Sequence, residues 1–548
     1  MDHNPPVVSS AVPSTSADLD DLELEAVGYK REMPRQFSML SLGALSFTLT
    51  CTWLGFGSSV GTGITEASAG GAIWTMPIVA VMTVILSLGM AELSSAYPVA
   101  GAQYYWSYMV ASEPYKPFAA YINGWMSVIG WWMGASSVSN FVASMILSIA
   151  TLWHPKYEYQ HWQQWMLYVL LMWMAVALNI FGHHIIPLFN KLITYLSVAL
   201  LITTTLVLFI CGRHNHAQPS WIFGDITSST GWSNKGLPFL LATVNTVFSF
   251  LGSDCGAHMC EEIPNPGRNV PRVIVLPLIG GFVAAFPFAI ACMYAINDVD
   301  AVLSTPTGLP LIEIYRQGTG SDVAASILVA LFAFCFFGCL VGNVTTSSRT
   351  LWAVSRDGAL PYSKIWSRVN KRFKMPMNAV ILSGTFVSIY GLIFIGSTTA
   401  FSAMVSANII FLQTTCAIPQ AIILWRGRDN VLPERWFDLG RYGKLVNIVA
   451  VAWVAFIDVI ACFPTAMPVT PSNMSYVSVV ATGLTGFVII LWFTSKRGKF
   501  LGPKVDETKL QQRRLAGMHL EGVAVDEEHT GASTSVSEKN CAFSYDKL

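Results

Sequence analysis

Long apolar stretches joined by short polar connections make up most of this 548-residue chain. A helix needs about 20 residues to cross a bilayer, and the stretches of that length predict about twelve transmembrane helices. Two of them, 118–152 and 324–353, are longer than one simple crossing. The pattern therefore predicts an all-α polytopic membrane protein. The predicted crossings occupy 41–67, 73–97, 118–152, 163–182, 187–211, 236–260, 272–296, 324–353, 378–397, 401–425, 446–466 and 475–494.

Lysine and arginine concentrate in every second connection. Cytoplasmic connections carry an excess of these residues, so the basic connections and both termini are predicted to be cytoplasmic. The opposite connections are poorer, and PTAMPVTPSNMS contains no basic residue at all. The basic connections precede the first crossing and follow crossings six, eight, ten and twelve; they include Lys30, Arg268, Arg356, Lys371, Arg428, Arg441 and Lys496.

The two ends of the chain differ from the apolar body. Residues 1–35 and 496–548 are polar and rich in serine or in charge, as in DEEHTGASTSVSEKN near the C-terminus. Segments of this kind bury too little apolar surface to fold alone. Both are predicted to be disordered cytoplasmic tails.

Two of the crossings have polar, glycine-rich centres. The first contains GFGSSVGTG at 55–63, and the sixth contains GSDCGAH at 252–258. The first and sixth of twelve crossings are each the first helix of a five-helix half. Because five is odd, the second half would enter the membrane from the opposite face. Interrupted helices at corresponding positions of inverted repeats mark a binding site at the midplane. The first helix is predicted to open at Gly55–Ser59 rather than at Gly61–Gly63, because the former lies nearer mid-membrane.

An unwound helix exposes backbone groups that a bilayer tolerates only where they line a cavity. Half-helix N-termini are positive dipole ends, so free amides near Ser58, Ser59 and Ser253 suit a carboxylate. Free carbonyls near 54–56 and 250–252 suit an amine. The alternative is that the glycines serve close helix packing, since Gly57 and Gly61 fit small-xxx-small spacing.

Asp254 is a carboxylate at mid-depth of the sixth crossing. An ionisable group there is costly unless it faces a cavity or a partner, which makes Asp254 a functional candidate. It could also cap the half-helix that begins there. His258, near the cytoplasmic end of the same crossing, is a titratable group that could assist proton transfer.

Composition excludes several classes of protein. The chain is 53% hydrophobic and 12% charged, and its 32 basic residues balance 32 acidic ones, which argues against a nucleic-acid partner. The ten cysteines lie mostly in apolar runs and are not a disulfide framework. Cys255, His258 and Cys260 lack the spacing of a zinc site, and no metal or enzyme motif is found. We therefore expect a non-enzyme.

Several segments resemble the amino acid, polyamine and organocation permease superfamily, especially its fungal branch of choline, GABA and amino-acid permeases. They are GFGSSVGTGITEASAGGA, SFLGSDCGAHMCEEIPNPGRNVPR, SSRTLWAVSRDGALP, GYKREMPRQFS and GMAELSSAYPVAGAQYYW. The resemblance covers residues 28–495. It implies a five-plus-five inverted-repeat (LeuT-like) core with two extra helices. The implied domains are a first repeat at 36–212, a second repeat at 236–425 and the extra helices at 445–495, between tails 1–35 and 496–548.

The resemblance also assigns roles to residues. Gly55 and Gly57 match the broken first helix, Phe248 an aromatic gate, and Asp254 an acidic residue of proton coupling. The loop after crossing six matches the corresponding cytoplasmic loop of the family, which implies a structural or gating role for Glu261, Glu262 and Arg268. The expected substrate-binding residues are Gly55, Phe56, Gly57, Ser58, Ser59, Phe248, Phe250, Gly252 and Ser253, with Asp254 and His258 as coupling residues. Trp131 and Trp132 could join Trp53 and these phenylalanines in an aromatic wall for an amine, although such residues are more often packing aromatics.

The sequence leaves the coupling ion open. Sodium-coupled relatives use hydroxyls of helix eight, where Thr345, Thr346 and Ser347 form a candidate cation site. Proton-coupled relatives place a lysine in helix five, but here Lys191 lies at the helix start. On family grounds we favour protons over sodium or exchange.

The resemblance implies a multi-pass plasma-membrane symporter that takes up amino acids or related small amines such as GABA or choline by alternating access. Its partners would be the small amine and the lipid bilayer, with no cofactor beyond a proton or sodium gradient. Two alternatives are a nutrient sensor with a transporter fold and an exporter of an amine-bearing specialised metabolite.

Overall fold

A computed structural model describes residues 20–21, 24–25, 28–214, 216–471 and 473–504. Within these ranges the chain is helical, with no β-strand and a single isolated bridge between Asn370 and Met375. The membrane body comprises Met33–Gly502. Most of the predicted tails, 1–35 and 496–548, lies outside the described residues, and their disorder stays a prediction.

The described part of the body contains fourteen α-helices of eight residues or more. They are α1 (Met39–Thr50), α2 (Thr52–Ala96), α3 (Gln103–Val110), α4 (Lys116–Trp153), α5 (His161–Phe181), α6 (Ile186–Cys211), α7 (Gly236–Val247), α8 (Pro266–Tyr294), α9 (Pro310–Thr319), α10 (Asp322–Arg356), α11 (Met377–Tyr390), α12 (Thr398–Arg426), α13 (Gly443–Ile460) and α14 (Val477–Leu491). Short α-helices lie at Pro219–Gly224, Val299–Leu303, Ser363–Trp366, Leu392–Gly396 and Arg428–Val431.

The described residues contain eleven segments long and apolar enough to cross a membrane, and the first of them holds two crossings. That segment, Met39–Ala96, is 58 residues long and leaves helical geometry at Ala67 and Ser68. A Cβ built on Gly63 would lie 3.4 Å from the Cβ of Ala72, whereas a continuous helix would separate these positions by about 13 Å. The chain therefore reverses at Ala67–Ser68, which agrees with the predicted twelve crossings.

Contacts between connections distinguish the two faces of the body. The Tyr97 hydroxyl donates to the Val431 carbonyl over 2.7 Å, and the Met467 amide donates to the Thr230 carbonyl over 2.7 Å. Alternate connections therefore meet on one side. We call the face that carries the connections 97–102, 263–265, 357–376 and 427–442 the inner face, and the face that carries 154–160, 212–235, 295–309 and 461–476 the outer face.

The first crossing is interrupted at Cys51, between α1 and α2, where the backbone is left-handed with φ 35° and ψ 39°. The prediction that it opens at Gly55–Ser59 is wrong, because α2 is continuously helical from Thr52 to Glu66. The glycines serve close packing instead: a Cβ on Gly55 would lie 2.8 Å from the Cα of Ser249, and one on Gly57 would lie 2.8 Å from the Phe332 ring. The packing alternative explains these two residues.

The sixth crossing is interrupted at the predicted position. α7 ends in a 3₁₀ turn at Phe248–Phe250, Leu251 is extended, and Gly252 has φ 80° and ψ 13°. The chain then continues as a 3₁₀ helix over Ser253–Glu262. Glycine has no Cβ and adopts a left-handed φ without steric cost, so Gly252 permits the break.

α2 packs against α7 and α8, and α4 packs against α10 and α12, so the interrupted crossings lie at the centre of the bundle. α13 covers α2 and α12, and α14 contacts α12 and α4. The assignment of 36–212 and 236–425 as inverted repeats, and of 445–495 as extra helices, stays a prediction.

Candidate binding site

The two helix breaks border one small cavity. Cys51 lies on one side of it, and Leu251 and Gly252 lie on the other. A Cβ on Gly252 would be 3.5 Å from both the Leu49 carbonyl oxygen and the Trp131 ring, so the two breaks approach each other directly. The cavity volume of about 30 Å³ holds a water molecule or two. Its lining is Leu49, Cys51, Trp131, Gly134, Val138, Phe248, Leu251, Gly252, Cys339, Asn343, Asn408 and Leu412.

Each break supplies backbone groups that a helix leaves unpaired. The first amides of α2 follow Cys51, and those of the Ser253–Glu262 segment follow Gly252; such amides have no intrahelical acceptor. The last carbonyls of α1 face the same space, since the Cys339 sulfur lies 3.9 Å from the Leu49 carbonyl oxygen. Donors and acceptors are therefore both available to a zwitterionic ligand.

Two polar side-chain atoms of residues that line the cavity lack hydrogen bonds within the described residues. Asn408 is 2% exposed and its Oδ1 has no partner, and the Trp131 Nε1 has none either. Asn343 also lines the cavity and donates to the Cys339 carbonyl over 3.2 Å. The sequence analysis missed both asparagines, although a polar amide inside an apolar crossing is a signal that could have found them. Trp132 lies elsewhere, stacked on Phe386 at 4.1 Å.

The predicted substrate-binding residues divide into two groups. Phe248 and Gly252 line the cavity, and Phe250 is buried next to the break. The second group is not among the residues that line the cavity.

In this second group, the Ser58 and Ser59 hydroxyls both donate to the Gly55 carbonyl, over 2.8 and 2.9 Å, and Ser58 lies nearer the outer face. Phe56 packs on Phe288, and Trp53 contacts Phe288 and Phe332. The Ser253 hydroxyl lies 3.2 Å from that of Ser87.

Asp254 and His258 form a buried pair next to the break. Asp254 is 2% exposed, and its Oδ2 lies 3.4 Å from His258 Nε2 and accepts from Gln103 Nε2 at 2.5 Å. His258 Nδ1 lies 3.2 Å from the Ala100 carbonyl, which only accepts, so this nitrogen carries the hydrogen. The other nitrogen then faces the carboxylate at 3.4 Å without a hydrogen bond to it. The structure therefore brings the two predicted coupling residues together and adds Gln103, which the sequence analysis missed.

A larger pocket, which we call the vestibule, opens on the outer face. It has a volume of about 440 Å³. Phe141 lines the vestibule and Phe248 lines the inner cavity, and their ring centroids are 5.6 Å apart. This aromatic pair separates the two spaces. The vestibule is lined by Ser58, Gly61, Thr62, Thr65, Glu66, Phe141, Ser144, Thr230, Leu303, Gly308, Leu309, Pro310, Thr465 and Ala466.

Two ion pairs close the opposite end, at the inner face. Arg349 Nε lies 3.0 Å from Glu262 Oε1, with both side chains 1% exposed. Arg356 makes a bidentate contact with Glu261, at 3.0 and 3.1 Å. These pairs join the end of the sixth crossing to α10. Arg268, the third residue with a predicted gating role, instead lies over the Trp436 ring at 5.5 Å.

The candidate cation site on α10 has its hydroxyls engaged. Thr345 donates to Asn179 of α5 over 2.7 Å, Thr346 to the Gly342 carbonyl over 3.0 Å, and Ser347 to the Val344 carbonyl over 3.2 Å. All three residues are fully buried. Their role in cation binding stays a prediction.

Two interrupted helices that meet at a buried cavity, with a vestibule toward one face and ion pairs toward the other, define a membrane transporter. Comparison with known proteins gives the family. The Amino acid permease family matches residues 37–487, so this chain belongs to the amino acid permease family, a family of transporters and not of enzymes. The resemblance inferred from sequence motifs is confirmed.

Curated relatives span nearly the whole chain. A choline transporter of Saccharomyces cerevisiae is 31% identical, covering 95% of this chain and 92% of its own. Amino-acid permease 2 of Neurospora crassa is 30% identical, with 90% of this chain and 91% of its own covered. Amino-acid permease BAT1 of Arabidopsis thaliana is 28% identical, with 89% and 96% covered.

Proposed function

We propose that this protein is a plasma-membrane symporter that imports a small amine-bearing solute, an amino acid or a related amine such as GABA or choline, by alternating access. The observation that carries the proposal is the cavity between the breaks at Cys51 and Gly252. A vestibule approaches it from the outer face and ion pairs close it from the inner face. The names of the relatives, choline transporter and amino-acid permease, support this substrate class.

Recognition would combine backbone and side-chain groups. A substrate carboxylate would accept hydrogen bonds from the free amides after each break, near the positive dipole end of the following helix. The unpaired Asn408 oxygen and the Trp131 ring would receive an ammonium group, by a hydrogen bond and by cation–π contact. The cavity must widen to admit a solute, because its present volume of about 30 Å³ is too small. We assign that widening to rotation of the Phe141–Phe248 pair.

Proton coupling would depend on the Asp254–His258 pair. Adding a proton to the pair neutralises the carboxylate and weakens its charge-assisted hydrogen bond from Gln103. Gln103 belongs to α3, which follows the inner connection 97–102. Protonation would therefore loosen α3 from the sixth crossing and favour opening at the inner face. Return of the proton to the inner solution would restore the closed arrangement.

Uptake into cells tests the function. Full-length protein is expressed in yeast lacking its own permeases for these compounds, and accumulation of labelled choline, GABA and several amino acids is measured with and without a proton uncoupler. We expect concentrative uptake of at least one compound that the uncoupler abolishes. No accumulation of any of them, with the protein verified at the surface, would contradict the proposal.

The inner face is assigned to the cytoplasm because it carries the arginine- and lysine-rich connections. Both termini would then be cytoplasmic. A C-terminal epitope tag should be detected only in permeabilised cells, whereas a tag at residue 466, in an outer connection, should be detected in intact cells. The reverse labelling pattern would contradict the orientation.

A further inference from the structure

Glu66 is a buried carboxylate at the base of the outer turn, outside the cavity and the Asp254 pair. It lies near the end of the first crossing, is 4% exposed and lines the vestibule. Its Oε2 has no hydrogen-bond partner within the described residues, and the side chain makes no ion pair with any of them. Neither the family resemblance nor the proposed mechanism uses this group.

A lone carboxyl in such a place either stays protonated or gains a positive partner. Burying an ionised side chain without a counter-charge costs several kcal/mol, which is why such groups within membrane spans mark functional sites. The lining of the vestibule contains no lysine, arginine or histidine to supply that charge. A cation bound in the vestibule would supply the charge that lets Glu66 ionise, whereas an anion would not.

The other lining groups suit an organic cation. The Thr65 hydroxyl donates to the Gly61 carbonyl over 2.9 Å, which leaves its lone pairs available, and Ser58 and Thr62 add further hydroxyls. The Phe141 ring offers a face for cation–π contact with an alkylated ammonium. A volume of about 440 Å³ accommodates a small amine.

A metal ion fits the vestibule poorly. Calcium takes six to eight oxygen ligands, several of them carboxylates, and magnesium needs close to octahedral geometry. Glu66 is the single acidic residue in the lining, and the described residues contain no cluster of three metal-ligating side chains.

We propose that Glu66 forms a vestibular subsite for an organic ammonium ion, which binds there before passing the Phe141–Phe248 pair into the cavity. This proposal rests on the proposed transport function and refines it: the preferred substrate carries a positively charged ammonium group, either as a cation or as part of a zwitterion. The subsite raises the local concentration of such solutes at the aromatic pair.

Direct binding tests the subsite without relying on transport. Full-length protein in lipid nanodiscs is titrated with tetramethylammonium by calorimetry, and tert-butanol, a neutral compound of similar shape, serves as the ligand control. We expect saturable binding of tetramethylammonium alone, weakened at least tenfold in Glu66→Gln. Glu158→Gln, which removes an exposed carboxylate from the connection 154–160, is the matched control and should bind as the wild type does.

Either of two results would overturn the subsite: no saturable binding by the wild-type protein, or equal affinity in Glu66→Gln. If Glu66→Gln fails to fold, the test uses Glu66→Asp instead, which withdraws the charge by one methylene. Weaker binding of tetramethylammonium by Glu66→Asp supports the subsite, and unchanged binding overturns it. Failure of the transport function would look different, because tetramethylammonium would still bind in a Glu66-dependent way while no amine accumulated in cells.

Discussion

The Asp254 side chain links the interrupted sixth crossing to α3 through Gln103. It accepts a 2.5 Å hydrogen bond from Gln103 and faces His258 at 3.4 Å, and both Asp254 and His258 are almost wholly buried. A charged and a neutral carboxyl make very different hydrogen bonds in such surroundings. In the proposed mechanism, proton binding to this pair would change how firmly α3 is held.

Replacing Asp254 by asparagine should separate proton coupling from substrate movement. The amide oxygen still accepts from Gln103, so we expect Asp254→Asn to fold and reach the surface. A pH difference of one unit sustains about tenfold accumulation per coupled proton. Concentrative uptake should therefore be lost when the coupling group is removed. Exchange of labelled for unlabelled substrate needs no coupled proton and should persist. Uptake and exchange are measured in the same cells. Asp429→Asn, at an exposed inner position, is the control; pH-dependent accumulation by Asp254→Asn equal to that of the wild type would contradict the coupling role.

Sequence reasoning located Asp254 because a charge in an apolar run is conspicuous, but it missed Glu66, Asn408 and Gln103. Glu66 lies where its crossing ends, so the sequence places it at the interface rather than in a buried vestibule. Asn408 carries no charge, and Gln103 acts across 151 residues of chain. Such partners follow from helix packing, which hydropathy does not describe.

At the scale of the element, the interruption of the first crossing lies at Cys51, ahead of the glycines that suggested it. Glycine permits two different things, backbone bending and close approach, and one sequence cannot separate them. Here Gly55 is used for approach to Ser249, while Cys51 itself takes the left-handed conformation. At the sixth crossing Gly252 does bend the backbone, and there the sequence prediction is confirmed.

A pair of alanine substitutions tests this use of glycine. In Gly55→Ala the new Cβ would lie 2.8 Å from the Ser249 Cα, and overpacking of this kind costs about 1–3 kcal/mol of stability. Gly43→Ala in α1 is the matched control, because a Cβ there meets nothing within 4 Å and alanine favours helix.

The two variants are compared by thermal unfolding of fluorescent fusions in detergent. We expect a lower melting temperature for Gly55→Ala and an unchanged or higher one for Gly43→Ala. Equal melting temperatures would show that the contact between α2 and the sixth crossing is looser than the structure indicates.

For the whole molecule, the twelve crossings follow from hydropathy alone, since bilayer thickness sets the length of each helix. The asymmetry between the two faces does not follow from hydropathy. The vestibule enters from the outer face, whereas the inner face is closed by Arg349–Glu262 and Arg356–Glu261. A further cluster, in which Glu92 binds Arg428 and Arg435 at 2.6 and 2.7 Å, holds the inner end of α2 to the connection after α12. Which basic residue meets which acid depends on the fold: the sequence analysis named Glu261 and Glu262 without pairing either of them with its arginine.

Alternating access requires the inner pairs to break, so weakening one of them should expose the inner side of the site. Arg349–Glu262 is unsuitable for this test, because breaking a fully buried pair costs about 3–5 kcal/mol. The Arg356–Glu261 pair is less buried, with Arg356 10% exposed, and Glu261→Gln retains a hydrogen-bond acceptor. We expect this variant to populate the inward-open arrangement. Cys416, whose sulfur lies 3.5 Å from Gln103 Nε2, then becomes accessible from the inner face.

The measurement is labelling of Cys416 by a membrane-impermeant maleimide applied to inside-out vesicles. Glu261→Gln should be labelled several-fold faster than the wild type, and the added signal should disappear when Cys416 is also replaced by alanine. Lys364→Gln removes an exposed charge from the same face and should leave the rate unchanged. Substrate added from the outer face should raise the rate in the wild type, because transport passes through the same opening. Labelling that is equally slow in Glu261→Gln and the wild type would mean that the Arg356 pair does not control the inner closure, and the buried Arg349 pair would then have to hold it alone.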